Sequence, residues 1–243
     1  MPGDADIASV AALMGEPARA AVLMALADGR SLAATTLAAE ANVAPSTASG
    51  HLARLVEGRL VTVESSGRHR YFRLASPEVA SALEALARLA PHRQVRSLSQ
   101  GTHAEAIRRA RTCYDHLAGR LGVALLDALV STGVLHVHEV GEGSDPVLGA
   151  GRARVYVLTG DGTSRLAALG VAPDPPTRRP LTRYCIDWSE QRPHLAGWLG
   201  AALLTRFAEL GWVLRAPKRV VKVTDAGWAG LAGRLGVDVD ACR

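Results

Sequence analysis

The sequence predicts a mainly α protein with small β-hairpins, an α+β chain in which an N-terminal winged helix precedes a C-terminal region of two repeated winged-helix-like lobes. Three observations predict it. Apolar residues recur at three- and four-residue steps on either side of Asn42-Val43-Ala44; an alternating run turns at Gly67; and two stretches beyond Gln100 match each other in register.

The first of the two helices runs over Leu32 to Ala41. Ser31 stands before it as a cap, and Leu32, Leu37 and Ala41 fall near one face. Asn42 tolerates left-handed dihedrals, Val43 can fill the angle between two helices, and Pro45 suits a first helical turn, where its missing amide costs nothing. The second helix, Pro45 to about Glu57, turns Ala48, Leu52, Leu55 and Val56 inward and leaves Ser46, Thr47, Ser49, Gly50, His51 and Arg54 on its other surface. Short hydroxylated residues at the start of an exposed helix let its backbone approach base edges in a major groove.

Gly58 stops that helix. Leu60 to Val63 then alternates into a turn at Ser65-Ser66-Gly67-Arg68, and His69 to Leu74 returns. This hairpin carries Arg68, His69, Arg70 and Arg73, placing positive charge where a wing would lie along phosphates. The next helix spans Pro77 to about Leu89. It and the N-terminal helix expected over Ile7 to Ala27 carry more apolar surface than one winged helix buries, so the pair is expected to form a homodimer contact.

Taken together, residues from about Ile7 to Ala90 resemble the winged-helix DNA-binding domain of the ArsR family of bacterial transcriptional repressors. The residues that carry the resemblance are Pro45 to Leu55, the exit Gly58-Arg59-Leu60-Val61 and the wing Gly67 to Leu74. The resemblance implies a homodimer that sits on a double-stranded DNA operator and is released by an inducer. Many members of that family bind metal through paired cysteines in the helix before the recognition helix, or through Asp/His and His/Glu pairs on the last helix. Here Leu32 to Ala41 holds no cysteine and Pro77 to Leu89 no His pair, so an inducer must be read elsewhere.

Length provides the elsewhere: 243 residues allow two or three compact units. The expected division is 1–97 for DNA binding and dimerisation, 98–172 for a first C-terminal repeat and 181–243 for a second. The net charge of +5 is compatible with nucleic acid but less telling than the placement of arginine on the wing. No apolar window approaches a membrane span and Met1-Pro2-Gly3-Asp4 does not read as the basic start of a signal peptide, so a cytoplasmic protein with no membrane partner is expected.

His116 to Leu126 matches His194 to Leu204, with terminating glycines at Gly133 and Gly211. Val157 to Val171 likewise matches Val223 to Val237. Each half is expected to run helix, helix, strand and a short helix capped by Thr159 or Thr224, with Gly141 to Pro146 a polar loop and Pro173 to Pro180 a stiff connection. Cys113 opens the first half and Cys185 the second, and His194 aligns with His116. If the halves pack about a pseudo-dyad, Cys113, His116, Cys185 and His194 converge in a set suited to zinc or another borderline-soft metal, or to thiol redox chemistry.

Other readings stand beside it. Cysteine is often a small buried hydrophobe and a histidine at a helix start often a cap. Tyr114, Tyr184 and Trp188 could line a pocket for a small organic inducer, with Asp115 and Asp187 among the groups orienting it. The cofactor is therefore a metal ion such as zinc, or none. Cys242, beside the C-terminus, is expected to be frayed. An enzyme is not expected, because Cys113, Asp115 and His116 on one helix would point apart and no phosphate-binding loop follows a strand.

Overall fold

The single N-terminal helix expected over Ile7 to Ala27 is corrected to two, because Glu16 and Pro17 break it into α1 (Ile7–Gly15) and α2 (Pro17–Leu26), bent by 88° at the break. The Glu16 carboxylate accepts the Ala18 and Arg19 amides at the new N-terminus. The buried Arg19 guanidinium donates back to the carbonyls of Leu13 and Ala12 at 2.7 and 2.8 Å, satisfying the orphan end of α1. This computed structural model describes residues 4–67, 69–91, 97–145, 149–172 and 179–242, with the backbone alone at 140–145 and 149–153. It forms two compact units, Met1–Leu83 and Glu84–Arg243.

In the first unit, β1 (Leu32–Ala33) precedes α3 (Ala34–Ala41), and α4 (Pro45–Glu57) leads into β2 (Val61–Ser66) and β3 (His69–Leu74). The three strands form an antiparallel sheet in the order β1-β3-β2, with Leu32 opposite Phe72 and Val63 also opposite Phe72 from the other side. This corrects the expected helix start. Leu32 and Ala33 pair with the wing, so α3 begins two residues later, behind Ala33, without a side-chain cap from Ser31. The turn behaves as its residues demand, Asn42 at φ 53° and Pro45 in the first turn of α4. Val22, Leu23, Leu26, Leu37, Leu52, Leu55, Phe72 and Leu74 form the core. No single described helix is long and apolar enough to cross a membrane.

The helix α5 (Pro77–Leu89) passes from the first unit into the second at Leu83/Glu84. The second unit continues with α6 (Leu98–Arg109), then β4 (Arg111–Cys113), β5 (His116–Ala118), α7 (Gly119–Ser131), β6 (Leu135–Asp145), β7 (Gly149–Leu158) and α8 (Gly160–Ala168). The same hairpin, helix, hairpin, helix order then recurs in β8 (Arg183–Ile186), β9 (Pro193–Ala196), α9 (Gly197–Glu209), β10 (Val213–Arg215), β11 (Val221–Val223) and α10 (Asp225–Leu235).

Matching details show that this is a structural repeat. Thr159 and Thr224 each accept the amide three residues on and donate to a carbonyl of the preceding turn, Gly133 or Gly211. The repeats share one core, in which Leu121, Leu125, Leu129 and Leu166 meet Leu199, Leu203, Phe207 and Leu231.

Three expectations are corrected here. The helix expected to carry Cys113, Asp115 and His116 is a hairpin, whose tight turn places Tyr114 at φ 57°. Gly141 to Asp145 is strand rather than loop, pairing as far as Asp145 opposite Gly149 after a bulge between Val140 and Glu142. Cys242 is fully buried in a C-terminal 3-10 turn, not frayed. Of the proline-rich connection, residues 173–178 lie outside the described set.

Candidate functional site

Two sets of residues carry chemistry, one in each unit. In the first, Ala48, Leu52 and Leu55 fix α4 against the core, and the opposite face leaves Ser46, Thr47, Ser49, Gly50 and Arg54 exposed. Ser49 Oγ donates to the Pro45 carbonyl at 3.0 Å, which keeps that side chain short against the helix. His51 stands apart from this group: it is half-buried, its Nδ1 3.4 Å from Glu16 Oε2, so it ties α4 to the start of α2.

On the wing, His69 and Arg70 are exposed, and the Arg70 guanidinium lies 5.3 Å from the Phe72 ring centroid. Arg73 is turned to Glu64, 3.1 Å away across the hairpin. Arg68 lies outside the described residues. The exposed remainder is a face of short hydroxyls and guanidinium groups, able to meet a groove and its phosphates.

In the second unit, Cys113, His116, Cys185 and His194 come together. One ligand atom from each lies within 4.8 Å of every other. The topology explains why. Cys113 pairs across its hairpin with His116, and Cys185 across the other with His194. The two hairpins meet with the imidazole centroids 5.2 Å apart. Glycine permits that approach: a Cβ on Gly122 would stand 2.5 Å from the Leu117 carbonyl and 3.5 Å from the His194 Cβ, and one on Gly200 2.7 Å from the Leu195 carbonyl and 3.1 Å from the His116 Cβ.

The surroundings are charged but paired. Asp115 Oδ1 is 3.2 Å from His116 Nδ1, and Arg179 grips the same carboxylate with both terminal nitrogens. Asp187 Oδ2 accepts from Arg111 at 2.9 Å and from the Gly119 amide at 2.6 Å, and lies 3.7 Å from His194 Nδ1. Arg111, fully buried, also faces Glu84 at 3.8 Å and lies over the Trp188 ring. Arg219 pairs with Glu84 and donates to the Thr112 carbonyl at 3.0 Å.

These contacts set the protonation pattern. Burial works against a charged His116, but Cys113 and Asp115 override it and raise its pKa to about 9. Burial and the neighbouring His116 push His194 down, the opposite direction to its partner ring. A hydrogen bond shared by the two sulfurs raises Cys113, with burial adding to it, and lowers Cys185. Asp115 is held at about 2: burial opposes this, and His116 and Arg179 outweigh it.

The aromatic reading fares differently. Tyr184 is a core residue packed edge-on against Tyr156, and Trp188 covers Arg111. A surface cleft of about 440 Å³ in this unit is lined by residues of α7, of the β8–β9 connection and of the C-terminal segment, including Asp127, Glu190 and Arg192, and by none of Tyr114, Tyr184 or Trp188. What sequence reasoning missed is the supporting ion network of Glu84, Arg111 and Arg219. A signal for part of the arrangement was present, since Cys-x-Asp occurs in both repeats as Cys113-Tyr114-Asp115 and Cys185-Ile186-Asp187.

Comparison with known proteins gives likenesses of three kinds. The helix-turn-helix domain family matches residues 14–64. An uncharacterized HTH-type transcriptional regulator of Bacillus subtilis, YdfF, is 38% identical over 237 residues, covering 96% of this chain and 99% of that protein. Among solved structures, NolR from Sinorhizobium fredii is 27% identical over 34% of this chain and 81% of its own, with a TM-score of 0.32. The cadmium sensor CMTR from Mycobacterium tuberculosis is 27% identical over 38% and 99%, with a TM-score of 0.31.

Proposed function

Because the chain belongs to the helix-turn-helix transcriptional regulators, we propose that it is a homodimeric repressor which grips an operator through α4 and the wing and releases it when the C-terminal unit binds an inducer. The observation that carries the DNA contact is the exposed face of Ser46, Thr47, Ser49, Gly50 and Arg54 on a helix whose other face is locked in the core. Backbone and hydroxyls there reach base edges, while Arg54, Arg70 and His69 meet phosphates.

Dimerisation follows from what stays uncovered. Ile7 and Val10 on α1, and Leu86 and Leu89 on α5, are exposed apolar residues that a second copy would cover. A twofold dimer presents two recognition helices to two half-sites, so its operator is an inverted repeat.

Sensing is assigned to the second unit because the winged helix lacks the family's cysteine and histidine pairs, while the second unit gathers two thiols and two imidazoles in one buried place. The test is selection of duplexes from random-sequence DNA by the purified chain. Enrichment of an inverted repeat, lost with Arg54→Ala, is expected; selection that enriches no sequence overturns the operator reading.

A further inference from the structure

We propose that Cys113, His116, Cys185 and His194 form a tetrahedral site for one divalent metal ion of the zinc class per chain, and that this ion is the signal the C-terminal unit reads. The second clause rests on the sensing function proposed above. The first stands without it.

The donor set and spacing fit such an ion. Tetrahedral zinc bonds sulfur at about 2.3 Å and imidazole nitrogen at about 2.0–2.1 Å, which puts neighbouring donors about 3.3–3.8 Å apart. The four donors here lie within 4.8 Å of one another, so small side-chain rotations close the shell without moving the hairpins. Two sulfurs and two imidazoles favour a borderline or soft ion over magnesium or calcium, which take oxygen.

Unmet hydrogen-bonding capacity points the same way. His116 Nε2 and both ring nitrogens of His194 are buried with no hydrogen-bond partner among the described residues. A buried nitrogen of this kind has a purpose in a native protein when a ligand completes it. Each ring also has a carboxylate beside its Nδ1: Asp115 at 3.2 Å from His116, and Asp187 at 3.7 Å from His194. A carboxylate within hydrogen-bond reach of Nδ1, as Asp115 is, orients a metal-binding imidazole and strengthens it as a donor, leaving Nε2 to bind; Asp187 would need to close a few tenths of an ångström to do the same for His194.

Charge selects a divalent ion. Around the cluster, Glu84 and Asp187 are balanced by Arg111 and Arg219, and Asp115 by Arg179. Two thiolates, two neutral imidazoles and a dication sum to zero, whereas a monocation leaves one uncompensated negative charge in a buried place. Loading displaces the two thiol protons and the extra proton of the His116 imidazolium to water. Entry is from the side of Cys185, which is part-exposed while the other three ligands are buried. A disulfide between Cys113 and Cys185 is the competing use of the sulfurs, but it leaves the imidazole nitrogens unmatched.

The test uses the full chain, kept reduced, stripped with chelator and titrated with Co2+ alone. Saturation at one equivalent is expected, with a thiolate-to-cobalt charge-transfer band and the intense d–d bands of a tetrahedral centre, all displaced by one equivalent of Zn2+. Cys113→Ser and Cys185→Ser should each weaken Co2+ binding more than about 100-fold, beyond what loss of an outer partner causes. Should either variant misfold, the wild-type spectrum decides alone. Absence of the charge-transfer band, or a reversible Cys113–Cys185 disulfide in protein that takes up no Co2+, overturns the site. A tetrahedral Co2+ spectrum with operator affinity unmoved by Zn2+ upholds the site and overturns only the sensing role.

Discussion

His116 and His194 face each other across the two repeats with their ring centroids 5.2 Å apart, and each lies against a glycine of the helix that follows the other's hairpin. Gly200→Ala tests whether that closeness is built in. The added methyl would meet the Leu195 carbonyl at 2.7 Å and the His116 Cβ at 3.1 Å, and backbone cannot give way as a flexible side chain can. A loss of about 1–3 kcal/mol is expected in urea denaturation, the usual penalty of overpacking. An unchanged midpoint would mean that the hairpins are free to separate.

Much of this arrangement was legible from particular residues. Asn42, Pro45 and the alternation from Leu60 to Val63 fixed the helix-turn-helix and wing, because local backbone preferences and the tertiary fold agree there. The aligned His116/His194 pair, with a cysteine opening each half, made a four-residue cluster conditional on the halves packing about a pseudo-dyad, and the sequence left that condition open. The hairpin at Cys113 was hidden because its turn uses Tyr114 and Asp115, with no glycine to mark the positive φ. Leu32 and Ala33 read as helix because their partner strand lies some forty residues on, opposite Phe72 and Tyr71. Glu84 and Arg219 carry no local pattern at all: their pairing is set only when the last hairpin meets α5.

The three thiols should differ in reactivity. Cys185 is the most accessible, and its hydrogen bond from Cys113 lowers its pKa despite burial. Cys113 is raised by the same bond, and burial with Asp238 nearby pushes Cys242 up to about 11. Since the thiolate is the nucleophile, iodoacetamide on metal-free protein near pH 7 should label Cys185 ahead of Cys113 and Cys242, as read by peptide mass spectrometry. Equal labelling of all three would contradict this environment.

Wing and recognition helix should fail in different ways. Arg70 is exposed on β3 near the wing tip. Arg70→Ala is expected to weaken binding to all duplexes alike and to reduce the slope of log affinity against log salt by about 1. Ser46→Ala or Thr47→Ala, at the exposed start of α4, should instead change discrimination among operator variants with little change in that slope. Fluorescence anisotropy at several salt concentrations separates the two, and a salt slope unchanged by Arg70→Ala removes the wing from the phosphate contacts.

Glu84 sits where α5 enters the second unit, with a side chain only 7% exposed, held by Arg219 and 3.8 Å from Arg111. Removing one member of a buried ionic group strands the others, so Glu84→Ala is expected to cost about 3–5 kcal/mol in chemical denaturation. Replacing both ends should cost less: Glu84→Met with Arg219→Met removes the stranded charge, leaving mainly the lost hydrogen bond to the Thr112 carbonyl. The double variant should therefore be more stable than Glu84→Ala, a coupling that a double-mutant cycle measures directly. Additive losses would show that the two side chains do not act as a pair. If they are coupled, α5 and the hairpins carrying Cys113 and His194 share one ion network, since Arg111 touches both Glu84 and Asp187. A change in charge at the cluster would then be felt at α5, and Glu84→Gln should blunt the effect of Zn2+ on operator affinity while leaving Co2+ binding at one equivalent. An undiminished Zn2+ response in that variant would show that the signal does not pass through Glu84.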